Sequence, residues 1–290
     1  MSNKTDPFFI NAVVNIPFCV ITTVGNSLIL VSFARTPSLI SPSNVLLIGL
    51  AISDLCVGLI GLPLFVAWKI KHHVNPTMTT STEILGRVSR FSSSLLCAVS
   101  FLIVSCLSVD RFLAVHLHLR YCEIVTVRRV TSLVCFLWVG SVVASSLGIW
   151  RDHYFDFIAA PVACICFVVN AVLYFKIYRV VRRHQLQISH QQARPFATEP
   201  INMTARLKYS FFNSLYLYLV FLLCNIPYMY SVVRSVIAEA SPLAFDVSST
   251  VVFTNSFLNP LFFSWRLKNV QAAVRKTIKD ISAQLNCFGN

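Results

Sequence analysis

CAVSFLIVSCLSVDRF, residues 97–112, is an apolar run that ends on Asp110-Arg111 and then Phe112. A charge at the centre of a bilayer costs roughly 2.5–3.5 kcal/mol on insertion scales. At the end of a run it can pair and meet water instead. From Ser92 to Arg111 a helix rises about 29 Å at about 1.5 Å per residue, close to the ~30 Å of bilayer hydrocarbon. The stretch therefore reads as a membrane-spanning helix, with Arg111 at one membrane face and Ser92 near the other.

Composition points the same way. Apolar residues make up 56% of the 290 and charged residues 12%, against about 45–50% and 25% in soluble domains. Long apolar segments fall at 9–34, 43–69, 91–117, 130–150, 157–181, 209–237 and 242–265, each near the ~20 residues that a spanning helix needs. Backbone polar groups in lipid must be satisfied within the segment, which favours helices. The first run is long enough to remain as a span, not a cleaved leader. The expectation is an all-α membrane protein: a seven-transmembrane-helix bundle over 9–265, an N-terminus of 1–8 and a tail of 266–290.

The basic residues set the expected orientation. With the N-terminus outside, only Lys4, Lys69, Lys71, Arg87, Arg90, Arg151 and Arg234 of the 24 Lys and Arg lie outside, as the positive-inside bias requires. The net charge of +13 then suits an anionic inner leaflet and a cytosolic partner, not nucleic acid. Asn3-Lys4-Thr5 is a glycosylation acceptor on the correct side. Beyond the last span, Leu267, Val270, Val274, Ile278, Ile281 and Leu285 recur at intervals of three and four, with Lys268, Arg275, Lys276 and Lys279 opposite. That pattern predicts a short amphipathic helix in the inner interface. Cys287, just beyond it, is a palmitoylation candidate, although a lone terminal cysteine is often unmodified.

Most of the ten cysteines fall within spans, none clearly in an outer loop, so no disulfide and no metal-ligand spacing is expected. Mid-span polar residues carry more meaning. Single Ser or Asn residues in such helices are mostly packing devices, but Asp54 is a carboxylate at mid-membrane and must be neutralised or held by polar neighbours. Asn255 and Asn259 lie four apart, hence on one face, with Ser256 beside them and Ser100 in the third span.

Together with Ala114-Val115 and Leu119-Arg120-Tyr121, the run ending in Asp110-Arg111-Phe112 resembles the third helix and second intracellular loop of rhodopsin-like G-protein-coupled receptors. Trp138, Tyr174, Cys224-Asn225-Ile226-Pro227 and Asn259-Pro260-Leu261-Phe262-Phe263 look like further landmarks of that family. The resemblance implies a G-protein coupling set of Asp110, Arg111, Phe112, Tyr174, Asn259, Pro260 and Phe263. It also implies an allosteric sodium pocket of Asp54, Ser100, Asn255, Ser256 and Asn259, with no other cofactor. Several positions depart from the pattern: Asn225 replaces a tryptophan, Phe263 a tyrosine, and Phe112 the tyrosine after Asp-Arg. Leu207 supplies no acid to clasp Arg111, Cys166 stands for the fifth-helix proline, and Gly86 for the usual disulfide cysteine. These absences look most like the melanocortin, adenosine and cannabinoid branch.

The expected ligand cavity is lined by Arg90, Ser93, Ser94, Cys97, Tyr228, Val232 and Phe253, with Arg90 either facing it or reaching to the headgroups. Ser93 stands where aminergic receptors carry aspartate, and Phe253 where opsins carry the retinal lysine. The expected partners are a small-molecule, peptide or lipid agonist, a heterotrimeric G protein, arrestin and the bilayer of the cell membrane. A non-signalling decoy receptor and a transporter are the alternatives, though the paired halves common in transporters are not evident. No nucleophile–base pair or metal set supports an enzyme.

Overall fold

The computed structural model describes residues 6–74, 79–117, 120–150, 154–191, 199–237 and 241–288, and among them the helices are joined by short turns with no strand. The long helices are α1 (Pro7–Arg35), α2 (Pro42–Val74), α3 (Thr80–Leu117), α4 (Val127–Trp150), α5 (Tyr154–Gln191), α6 (Glu199–Ile237) and α7 (Pro242–Arg266). A further helix, α8 (Lys268–Phe288), follows at the C-terminal end. Local chemistry starts several of them. The Asp6 side chain accepts from the Phe8 amide at 3.0 Å ahead of Pro7, and Ser41 caps α2 in the same way through Asn44. Both satisfy amides that a helix start leaves free. The Phe8 amide and then His73 hold the Asp6 carboxyl below its ordinary value.

Six of these helices are long and apolar enough to cross a membrane. The exception, α7, carries polar residues that bond its neighbours: Thr250 bonds Asn11 and Asn15 of α1, and Ser248 bonds Ser231 of α6. Its polar side chains point into the bundle, so a span can be polar in composition and still present lipid with an apolar face. The outward surfaces agree. Phe136, Val139, Val143 and Leu147 recur every three or four residues along α4 and are all well exposed, an apolar stripe that water would not tolerate.

The bundle closes through α1 packing on both α2 and α7, while α3 runs through the middle against α2, α4, α5 and α6. Extending to Thr80, α3 starts well before the apolar run predicts, because its first turns are polar: Glu83 pairs with Arg87 and Lys71 reaches Ser81. Residues Val57–Gly61 of α2 form a π turn. It lies directly before Pro63, which has no amide to give Leu59 and whose ring crowds that carbonyl. At the end where Arg111 lies, α8 packs on α1 and α7, burying Val270, Ala273 and Val274 and setting Asp280 4.0 Å from Arg35.

The π turn also brings α2 onto α1. A Cβ at Gly58 would lie 2.6 Å from the Thr23 hydroxyl and 2.9 Å from the Thr23 backbone nitrogen. The backbone atom cannot rotate away, so Gly58→Ala should destabilise by about 1–3 kcal/mol, as overpacking does. Gly140 faces open space, and alanine there should be neutral or stabilising by at most about 1 kcal/mol. Thermal unfolding of the two variants in lipid nanodiscs checks the contrast; equal midpoints would refute the close approach.

Candidate functional site

Midway along the bundle, polar side chains from four helices converge. Asn259 Nδ2 donates to Asp54 Oδ2 at 2.7 Å, and Ser256 is buried one turn before Asn259 on the same helix. Ser100 lies 3.0 Å from the hydroxyl of Ser53, the neighbour of Asp54. Asn26 of α1 donates to the Ser256 carbonyl at 3.2 Å. Asn255 is buried one turn before Asn259. Asp54 is fully buried, yet its Oδ1 has no hydrogen-bond partner, and neither does Asn26 Oδ1.

A sealed carboxylate oxygen without a donor is costly. It fits a small monovalent cation held by Asp54 with the neutral oxygens of Ser100, Ser256 and Asn259. Among the described residues no three His, Cys, Asp or Glu gather to hold a metal. The Asn259 turn is itself pinned: a Cβ on Gly25 would stand 2.9 Å from the Pro260 ring. Gly25 thus lets α1 lie against the proline of α7.

At the Arg111 end, Asp110 organises a second cluster. Its carboxylate accepts from Ser43 at 2.8 Å and from Tyr121 at 2.6 Å, and pairs with the Arg111 guanidinium at 2.5 Å. Arg111 also donates to Ser43. Burial first, and then the bond to Asp110, push the Tyr121 phenol up to about 12, so it stays protonated and keeps donating. Tyr121 begins a one-turn helix (Tyr121–Ile124) whose carbonyls at Glu123 and Ile124 are bound by Arg129. Ser43 on α2, Asp110 and Arg111 on α3, and the loop are therefore one hydrogen-bonded unit.

Tyr174 lies nearby but is turned to other partners. Its hydroxyl donates to the Ser214 carbonyl at 2.9 Å and accepts from Ser108 at 3.2 Å, and its ring stacks on Tyr218 at 5.0 Å. It thus ties α5 to α3 and α6. Phe112 stacks on His116. Phe263 is completely buried against Phe262 and in one apolar cluster with Val270 and Val274, so a phenylalanine suits its surroundings. The side chains of Leu207 and Cys287, and all of Asn3, lie outside the described residues.

The residues expected at the opposite end divide by depth. Arg90 is exposed; Ser93, Ser94, Cys97 and Tyr228 are half-buried; Val232 and Phe253 are buried. Phe253 packs edge-on against Phe65, and Tyr228 against Phe245. Ser93 has a sealed hydroxyl without a partner. The nine described cysteines are free thiols. Sequence reasoning passed over Ser43, Ser53 and Ser214 as bonding partners, since a lone serine carries no signal of its own. Tyr121 is marked in the sequence only by its place in the Leu119-Arg120-Tyr121 pattern.

Residues 25–153 match the family model described as 7 transmembrane receptor (rhodopsin family). The matched segment runs from Gly25-Asn26 through Asp54 and Asp110-Arg111-Phe112 to just past α4. Tyr174, Asn255 and Asn259 lie beyond it, and no particular branch of the family is marked out.

Proposed function

We propose that the chain, whose residues 25–153 match the rhodopsin-family receptor model, is a seven-helix receptor in the membrane that binds an agonist outside the cell and activates a heterotrimeric G protein within. The N-terminus faces out and Arg111 faces the cytosol. The single observation that carries this reading is the Asp110–Arg111–Ser43–Tyr121 unit. It is a set of charge-assisted bonds spanning two helices and a loop, which holds a guanidinium at the rim where a partner's helix can take it. Agonist binding shifts the population toward a state in which the Arg111 end of α6 swings outward, freeing Arg111 for the partner. Arrestin would use the same face. A sodium ion at Asp54, Ser100, Ser256 and Asn259 would add a positive charge that favours the closed packing of α2, α3 and α7. Asn255, buried one turn before Asn259, would complete the set around the ion.

The family's activity is a receptor's, and enzyme chemistry has no place in this reading. A non-signalling receptor is the second reading, favoured by Phe263, whose apolar burial offers no hydroxyl to a water in an open state. Guanine-nucleotide exchange by purified G protein mixed with the full chain in nanodiscs decides between them. Exchange above that of empty nanodiscs supports coupling; none with any member of an agonist library supports the decoy.

Leu207 offers Arg111 no acid, and Asn225 stands where the family has tryptophan, so the closed state has fewer restraints. Restraints of this kind are typically worth about 1–3 kcal/mol, or roughly 5- to 150-fold in population. Ligand-independent exchange is therefore expected, and Leu207→Glu should lower it at equal surface expression. A silent wild type together with an unchanged Leu207→Glu variant would refute this account of the basal state.

A further inference from the structure

At the end of the bundle opposite Arg111, α2 and α7 are joined by a buried ion pair between Lys69 and Asp246. Asp246 Oδ2 is sealed from solvent with Lys69 as its counter-charge. The Lys69 ammonium also lies 4.1 Å from the centre of the Trp68 ring, 5.7 Å from Phe65 and 5.6 Å from Phe8 of α1. Three aromatic faces and one carboxylate around a single ammonium are the elements of a cation-binding cage. We propose that Asp246, Trp68, Phe65 and Phe8 form a binding site for a small organic ammonium ligand, occupied in the resting protein by the side chain of Lys69.

Chemistry decides which partner can be displaced. Asp246 has a short side chain on a packed helix and cannot leave. Lys69 sits near the Val74 end of α2 on a flexible four-carbon stem and can withdraw to water or the headgroups. The ring faces attract cations and repel anions, so an acidic ligand seeking Lys69 would meet the wrong surface. The cage also depends on a glycine. A Cβ at Gly86 of α3 would stand 2.8 Å from the Trp68 indole nitrogen and 3.2 Å or more from its ring carbons. Gly86 is the position where the family resemblance expects the disulfide cysteine. The room made by its missing side chain is the room in which Trp68 lies. A ligand in this cage loosens the tie between α2 and α7, the two helices that carry Asp54 and Asn259. That the occupant is a signalling ligand rests on the receptor reading; the cage itself does not.

The test uses the full chain in neutral phosphatidylcholine nanodiscs, with thermal unfolding as the readout and methylammonium chloride as the probe. Lys69→Ala leaves Asp246 buried and uncompensated and should lower the midpoint by roughly 5–10 °C. Methylammonium should restore most of that loss, while sodium chloride at equal ionic strength should not. Adding Asp246→Asn should abolish the restoration, and adding Gly86→Ala should weaken it. If Lys69→Ala does not fold, Lys69→Val carries the same test with more packing retained. The wild type should respond only at about 10–100-fold higher methylammonium, since the tethered ammonium competes at a millimolar or greater effective concentration. No restoration in Lys69→Ala, or equal restoration without Asp246, overturns the cage; a wild type that never responds overturns its role as a ligand site. None of these arms measures signalling, so their failure is distinct from silence in nucleotide exchange.

Discussion

Arg111→Ala abolishes nucleotide exchange on the G protein, with and without agonist, while the amount of receptor at the cell surface stays near normal. Both halves of that expectation come from the geometry around Asp110. Breaking a buried ion pair usually costs about 3–5 kcal/mol because the remaining charge is stranded. Here Asp110 keeps the Ser43 and Tyr121 hydroxyls at 2.8 and 2.6 Å, so the loss should fall to about 1.5–3 kcal/mol, the worth of a hydrogen bond to a charged group. The guanidinium has no such substitute on the signalling side. Its side chain is 18% exposed, and its planar fork of donors is what a partner's carbonyls and carboxylates would engage. Arg111→Lys tests that point, keeping charge but not the fork, and should recover little. Exchange that survives Arg111→Ala at wild-type level would remove Arg111 from the coupling step.

Asp54→Asn removes the dependence of agonist affinity on sodium. In the wild type, raising sodium from nominal absence to about physiological strength should lower agonist affinity by roughly 5-fold or more, the low end of an allosteric coupling. The ion and the agonist then favour different states, and each must oppose the other by the same free energy. The asparagine should fold, because its carbonyl can still accept from Asn259, whose amide donates to Asp54 Oδ2 in the wild type. What it cannot do is present the unpartnered anionic Oδ1. Choline chloride at equal ionic strength separates a bound ion from general screening. A sodium effect that persists in Asp54→Asn would place the ion elsewhere.

The two clusters differ in how far residue order alone could lead to them. Asp54 and Asn259 lie 205 residues apart, yet both announce themselves, one as a mid-membrane carboxylate and the other within an Asn-Pro pair. Family resemblance then brings them together. Ser43 carries no such mark. Its bond to Asp110 crosses 67 residues and depends on how α2 is rotated about its own axis. Tyr121 is only 11 residues from Asp110, but the turn between them determines whether the phenol comes back to the carboxylate or points to water. Lys69 was legible only as a basic residue on the outer side, and Asp246 only as an acid in the last apolar run. Neither position implies the other. Phe263 shows the opposite limit: the missing hydroxyl is plain in the sequence, while the apolar cluster that makes phenylalanine suitable is not.

What the chain determines by itself is the set of long helices, their order and the charge bias at their ends. A bilayer acts on each segment separately, so apolar run length and the placement of Lys and Arg are enough. Tertiary structure alone decides the pairings: which hydroxyl reaches Asp110, which amide reaches Asp54, and that Lys69 turns inward to Asp246 and three rings instead of outward to water. The physical reason is that side-chain partners in a bundle are set by helix rotation, by the π turn before Pro63 and by close approaches such as Gly58 on Thr23 and Gly86 under Trp68. Those are differences of one or two ångströms, to which the hydrophobic pattern is blind.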